Sequence, residues 1–154
     1  MKFAIKLILA AAAAMSFSSA TSAYARDVVT PAAGLPAGAG GQLFPGDAYV
    51  SPDGRFRLAF QTDGNFVLYQ GTTALWASNT VIGIPTNGNT PFYVQFQGDG
   101  NLVLYDLRAG VTFSPWDSRT QGHPDAILNV QNDGNVVIYD GSHRKIWATN
   151  TCCH

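Results

Sequence analysis

From residue 42 onward apolar and polar residues alternate in short runs, each closed by a turn-forming cluster. Phe56, Leu58 and Phe60 fall on one parity around Arg57 and Ala59, and Phe66 and Leu68 are interleaved with Val67 and Tyr69. A period of two marks strands that bury one face. The breaks are Pro45-Gly46, Pro52-Asp53-Gly54, and three Asp-Gly-Asn clusters, at 63–65, 99–101 and 133–135. These residues make turns because Gly reaches left-handed conformations and Asp and Asn bond their own backbone. No window keeps a helical period. The pattern predicts strands over 47–51, 55–61, 65–70, 73–77, 91–97, 101–106, 112–117, 125–131, 135–140 and 144–149.

The alternation is itself repeated. Gln-x-Asp-x-Asn-x-Val-x-Tyr begins at residues 61, 97 and 131, and each copy is followed by a coda, Trp-x-Ser/Thr-x-Thr, at 76–80, 116–120 and 147–151. A period of about 35 residues signals an array of similar units that bury a core only together. Three units of strand, turn, strand and Trp-bearing strand predict a closed all-β arrangement with pseudo-threefold symmetry and the tryptophans inside.

Turn length decides which side chains share a face. A two-residue turn at Asp63-Gly64 would pair Phe60 with Val67 and Leu58 with Tyr69. A three-residue loop, Thr62 to Gly64 with Gly left-handed, pairs Gln61 with Asn65, Phe60 with Phe66 and Leu58 with Leu68. The second copy then pairs Phe96 with Leu102 and Val94 with Leu104, and the third Val130 with Val136 and Leu128 with Ile138. Only this register makes one face wholly apolar in all three copies, and a slip of one residue would exchange the faces.

The other face is predicted to display Gln61, Asp63, Asn65, Val67 and Tyr69, with Asp63 at the turn edge. Its repeats are Gln97, Asp99, Asn101, Val103 and Tyr105, and Gln131, Asp133, Asn135, Val137 and Tyr139. Asp accepts hydrogen bonds, Asn and Gln accept and donate, and the Tyr hydroxyl does either. That inventory suits a ligand made of hydroxyls, with Val against its C–H groups. A neutral sugar has this composition. Turn building accounts for Gly64, Gly100 and Gly134, but asks nothing of Gln, Val or Tyr. The tryptophans, one per repeat in apolar surroundings, are expected in the core.

The three motifs resemble the hallmark of the bulb-type (monocot) mannose-binding lectins, and the resemblance extends over about residues 42–151. It implies the β-prism II fold, three antiparallel four-stranded sheets around a pseudo-threefold axis. It implies that Asp63 and Asn65 hold the axial 2-hydroxyl of mannose, Gln61 the 3-hydroxyl and Tyr69 the 4-hydroxyl, with Val67 on the ring carbons. The same roles pass to the equivalents in the other copies. It implies binding without metal, cofactor or catalysis, and a homodimer formed through the C-terminal strand 145–151. Many plant members carry a disulfide at the positions that here are Gly64 and Phe92, so the core alone must join the first two units.

Composition narrows the rest. With net charge −1 and 12% charged residues, the chain has no electrostatic footprint for nucleic acid or an anionic membrane. Lys2, Lys6, the apolar run 7–15 and Ala23-Tyr24-Ala25 form a signal-peptide pattern over 1–25, of a short, Ala-rich, bacterial kind. Export to periplasm or medium is expected, without membrane insertion. Residues 26–41 lack periodicity and are expected to be a flexible leader, with the binding domain over 42–154. A glycosidase needs two carboxylates across the bond, whereas each motif supplies one. His123, His143 and His154 form no visible triad with Ser or Cys. An antibacterial module of the same fold is the alternative; such proteins typically carry two domains, and this chain has one. Adjacent Cys152 and Cys153, with His154, lack the spacing of a metal site and are expected to form a frayed tail.

Overall fold

The computed structural model describes residues 25–81, 92–108 and 112–154. The signal-peptide pattern therefore lies, but for Ala25, outside the described residues. Thirteen strands form three sheets. In the first, β4 (Ala48–Val50), β5 (Phe56–Phe60), β6 (Phe66–Gln70) and β7 (Thr73–Ala77) run antiparallel. The second contains β8 (Phe92–Phe96), β9 (Leu102–Asp106) and β10 (Phe113–Asp117), and the third β11 (Ile127–Val130), β12 (Val136–Tyr139) and β13 (Lys145–Ala148). All ten predicted strands are present within a residue or two at each end. This is the β-prism II arrangement.

The segment expected to be a flexible leader, 26–41, instead adds strands to two of the sheets, and the strand that joins the remaining sheet follows where the domain is expected to begin, at residue 42. Strand β1 (Asp27–Val29) adds to the first sheet parallel to β4, making it five-stranded. Strand β2 (Leu35–Pro36) completes the third sheet against β11, and β3 (Gln42–Leu43) the second against β8. Two-residue strands cannot show a period, so the alternation gave no sign of them. Their anchors are single side chains: Leu35 and Leu43 are buried, and buried Thr30 bonds the Val50 carbonyl through both its backbone amide (2.8 Å) and its hydroxyl (3.0 Å). Pro36 is tolerated because an edge strand does not require its missing donor.

The predicted register is the observed one. Phe60 pairs with Phe66 and Leu58 with Leu68, Phe96 with Leu102 and Val94 with Leu104, Val130 with Val136 and Leu128 with Ile138. These side chains form one core between the sheets, with the phenylalanines at 56, 60, 66, 92 and 96 fully buried. Trp76, Trp116 and Trp147 meet edge to face, with centroids 5.6, 5.7 and 5.8 Å apart, and pack against that core. Edge-to-face contact puts the positive rim of each ring on the negative face of the next. No helix among the described residues is long and apolar enough to cross a membrane.

Tyr49 sits in the same core, and burial pushes its phenol up to about 12, offset in part by the Phe96 backbone and the Arg26 charge. Between pH 10 and that value the unfolded chain loses the proton while the folded chain keeps it. Stability therefore falls as pH rises through this window, by about 3 kcal/mol at most for this group. Denaturant titrations at pH 8 and 11 should show a loss in the parent that is smaller by about 1.4 kcal/mol in Tyr49→Phe, since pH 11 is halfway through the window.

Candidate functional site

Each motif occupies the tip and outer face of one hairpin, β5–β6, β8–β9 or β11–β12. The amides of Gly64, Gly100 and Gly134 donate to the carbonyls of Gln61, Gln97 and Gln131 at 3.1, 3.0 and 3.2 Å. The amides of those glutamines donate to Asn65, Asn101 and Asn135 at 2.8 Å. This is the expected three-residue loop. Its glycines have φ of 90°, 84° and 90°, a conformation open to Gly and costly for residues with a Cβ.

The Asp and Asn side chains are positioned by the loop and by the Trp-bearing strand. Oδ1 of Asp63, Asp99 and Asp133 accepts the amide of the Asn two residues on, at 2.9, 3.0 and 2.9 Å. These aspartates are exposed, and no side-chain hydrogen bond to the second carboxylate oxygen is found among the described residues. The Asn oxygen is held by coda residues to which the sequence pattern assigned no role. Ser78 Oγ and the Thr80 amide donate to Asn65 Oδ1; Ser118 and Thr120 do so for Asn101, and Thr149 and Thr151 for Asn135. In each coda the two hydroxyls bond one another at 2.7 Å, and the second donates to the hairpin glycine carbonyl. The residue between them, Asn79, Arg119 or Asn150, is left-handed, with φ of 58°, 58° and 56°. That turn lets residues two apart aim at one Asn. The signal was legible as Ser/Thr-x-Thr recurring after each Trp.

Gln and Tyr are tied to each other. The Gln side-chain amide donates to the Tyr hydroxyl oxygen at 2.6 Å for Gln61–Tyr69, 2.7 Å for Gln97–Tyr105 and 3.1 Å for Gln131–Tyr139. Each bond leaves the Gln carbonyl oxygen as acceptor and the Tyr hydroxyl proton as donor. By the register, Gln and Tyr lie on rungs either side of the Val rung, so their bond passes over it. Val67, Val103 and Val137 are accordingly 3, 3 and 1% exposed. Their expected display on the outer face is corrected: the valines are a buried floor beneath the polar groups. Asn101 is also buried, at 8%.

The three faces differ at their rims. The first opens into a shallow cavity of about 320 Å³ lined by Arg57, Ala59, Gln61, Tyr69, Gly71 and Thr72. Arg57 is paired with Asp27 of β1 at its edge. On the second, Tyr93 packs on Tyr105 with centroids 5.0 Å apart, and burial followed by the neighbouring phenol raises the Tyr93 pKa. Beside the third, a smaller cavity of about 160 Å³ touches Asn129, Gln131 and Asn132.

The C-terminal residues do not fray. The His154 amide donates to the Asp133 carbonyl at 3.1 Å, so the tail lies along the third hairpin tip. Cys152 and Cys153 are free and exposed, and their sulfurs and an Asp133 oxygen lie within 4.8 Å of one another. Two thiols and a carboxylate are three donors of the kind zinc accepts, one short of a closed structural site, and the carboxylate comes from the hairpin rather than the tail. Strand β13 pairs with β12 of its own sheet.

No family model matches the chain. Over 39 residues it is 51% identical to the B-type lectin plumieribetin of Scorpaena plumieri; that stretch is 25% of this chain and 34% of the relative, so the match spans about a third of it. Among solved structures, the Marasmius oreades lectin aligns with a TM-score of 0.61 and 28% identity, covering 83% of this chain and 97% of that one. A monomeric monocot mannose-binding lectin from Gastrodia elata aligns at 0.57 with 35% identity, covering 73% and 94%. The mannose-specific snowdrop (Galanthus nivalis) agglutinin, solved with methyl-α-D-mannoside, aligns at 0.51 with 32% identity, covering 73% and 93%. With these three sheets, the repeated hairpin tips and that identity across nearly the whole length of the Gastrodia and snowdrop proteins, the chain belongs to the bulb-type (monocot) mannose-binding lectins, a family of carbohydrate binders without catalysis.

Proposed function

We propose that the chain is a secreted lectin that binds terminal α-mannosides through its repeated hairpin faces, without metal or catalysis. One observation carries this reading. In every copy the protein's own hydrogen bonds use one Asp oxygen, the Asn oxygen and the Gln amide, and leave the second Asp oxygen, the Gln oxygen and the Tyr proton for a ligand. Fixed acceptors and a fixed donor on a rigid sheet match vicinal hydroxyls with little ordering cost on binding. The mannosides bound by the relatives are the sugar class this set is built for.

A shallow single site of this kind binds weakly, at about 1 mM or −4 kcal/mol. Several sites per chain supply avidity, and a pair of chains joined through the C-terminal strand would double them. A glycan array probed with residues 25–154 should light up terminal α-mannosides and go dark with free methyl α-mannoside. Signals confined to other sugars, or indifferent to that competitor, overturn the proposal.

A further inference from the structure

The three sites are not chemically equal, and the difference lies in one side chain of the Trp-bearing strand. Ala77 stands opposite Val67 and Ala148 opposite Val137, whereas the residue opposite Val103 is Asp117. It therefore shares the outer face of the second hairpin. Its Oδ2 accepts a hydrogen bond from Asn101 Nδ2 at 2.9 Å. Asp99 Oδ1 accepts the Asn101 backbone amide at 3.0 Å, so two carboxylates grip the same residue.

Two consequences follow for a ligand. In the first and third sites the side-chain amide hydrogens of Asn65 and Asn135 are unspent and free to meet a sugar oxygen. In the second, one of the corresponding hydrogens is taken by Asp117. The second site also holds an additional negative charge. Neither Asp99 nor Asp117 enters any of the ion pairs among the described residues. The face has lost a donor and gained an acceptor-only, anionic group. A neutral hydroxyl can still donate to it, but an ammonium offers three donors and the complementary charge, and charge-assisted bonds are the stronger kind. Both carboxylates touch Asn101, so their charges act on the same part of the face.

We propose that the second site selects an amino sugar, a hydroxylated ring bearing a free ammonium group, and that Asp117 is its specificity-determining residue. The proposal rests on reading the repeated faces as sugar sites. The carbonyl side of Gln97 and the Tyr105 hydroxyl would hold the ring hydroxyls as in the other copies, while Asp99 and Asp117 share the ammonium.

The test isolates the second site with Asp63→Ala and Asp133→Ala together. Calorimetry or ligand-observed NMR then compares mannose, mannosamine and N-acetylmannosamine, which keep one ring stereochemistry while the charge is added and removed. Mannosamine is expected to bind about tenfold more tightly than either neutral sugar. Asp117→Asn in that background keeps an oxygen for Asn101 but removes the charge, and is expected to erase the preference. Asp117→Ala should restore the Asn donor and raise mannose affinity. Equal binding of the three sugars, no binding of any, or a preference that survives Asp117→Asn overturns the proposal. An Asp99→Ala protein, with the first and third sites intact, separates the two readings: if it too ignores mannose, the lectin reading has failed, and if it binds mannose, any failure belongs to Asp117.

Discussion

A protein carrying Asp63→Ala, Asp99→Ala and Asp133→Ala together is expected to pass through a mannose column unretarded, and the parent to be held back. Each of these carboxylates has one oxygen committed to the Asn backbone and the other left for a ligand, so removing it takes away the strongest acceptor of its face. A hydrogen bond to a charged group contributes roughly 1.5–3 kcal/mol. Against a site holding only about 4 kcal/mol, that loss moves binding beyond any practical concentration. The single variants should be graded. Asp63→Ala and Asp133→Ala each reduce retention, and Asp99→Ala least, because the second face is the one modified by Asp117. The Asp also caps its turn, so loss of retention alone could report a loosened hairpin. Asp→Asn at the same three positions keeps the cap and removes the charge; it should abolish retention with unfolding midpoints within a few degrees of the parent. A triple variant that binds mannose-agarose like the parent contradicts the assignment of these faces.

The repeat, its register and its polar inventory were legible because each rests on a rule with one solution. Phe60 can face Phe66 only if the loop has three residues, and a glycine at the third position permits it. What escaped the sequence did so for two physical reasons. The strands β1 and β2 are held by isolated anchors, Thr30 and Leu35, in a Pro, Ala and Gly background, and strands of two or three residues carry no period to read. The burial of the valines was not legible because alternation gives a side but not a depth. Val67 does lie on the outer side, yet the Gln61–Tyr69 bond spans it and closes it from water. The coda hydroxyls were visible as a pattern, but their purpose needed the left-handed turn at Asn79, Arg119 and Asn150 that aims two of them at one Asn oxygen. Asp117 stood in plain view as the one charged residue among Ala, Asp and Ala. Its meaning required knowing which way that strand faces.

The largest loss of stability from a single added methyl group is expected at Gly100. Its φ of +84° already disfavours any residue with a Cβ, by about 1 kcal/mol. A Cβ there would also stand 2.2 Å from the His123 carbonyl oxygen, 2.9 Å from its carbon and 3.0 Å from the Ala126 Cβ. These are backbone and core atoms, not the end of a flexible side chain, and they are held in place. The His123 amide donates to the Asp99 carbonyl at 2.8 Å, and the Ala126 amide donates to the His123 carbonyl at 2.9 Å. Relief therefore means breaking the contact that seats the second hairpin tip on the loop leading into the third sheet. Gly100→Ala should cost more than about 3 kcal/mol in a denaturant titration, the range of severe backbone and overpacking defects. A methyl group added at Gly98, two residues earlier on the same tip, would meet nothing within 4 Å. Gly98→Ala should thus fall within about 0.5 kcal/mol of the parent, as exposed substitutions do. Equal losses at the two glycines would mean that the tip is only a flexible turn. The expected contrast means that Asp99, between them, is set by the neighbouring unit as much as by its own hairpin, so the polar face of one repeat depends on the packing of the next.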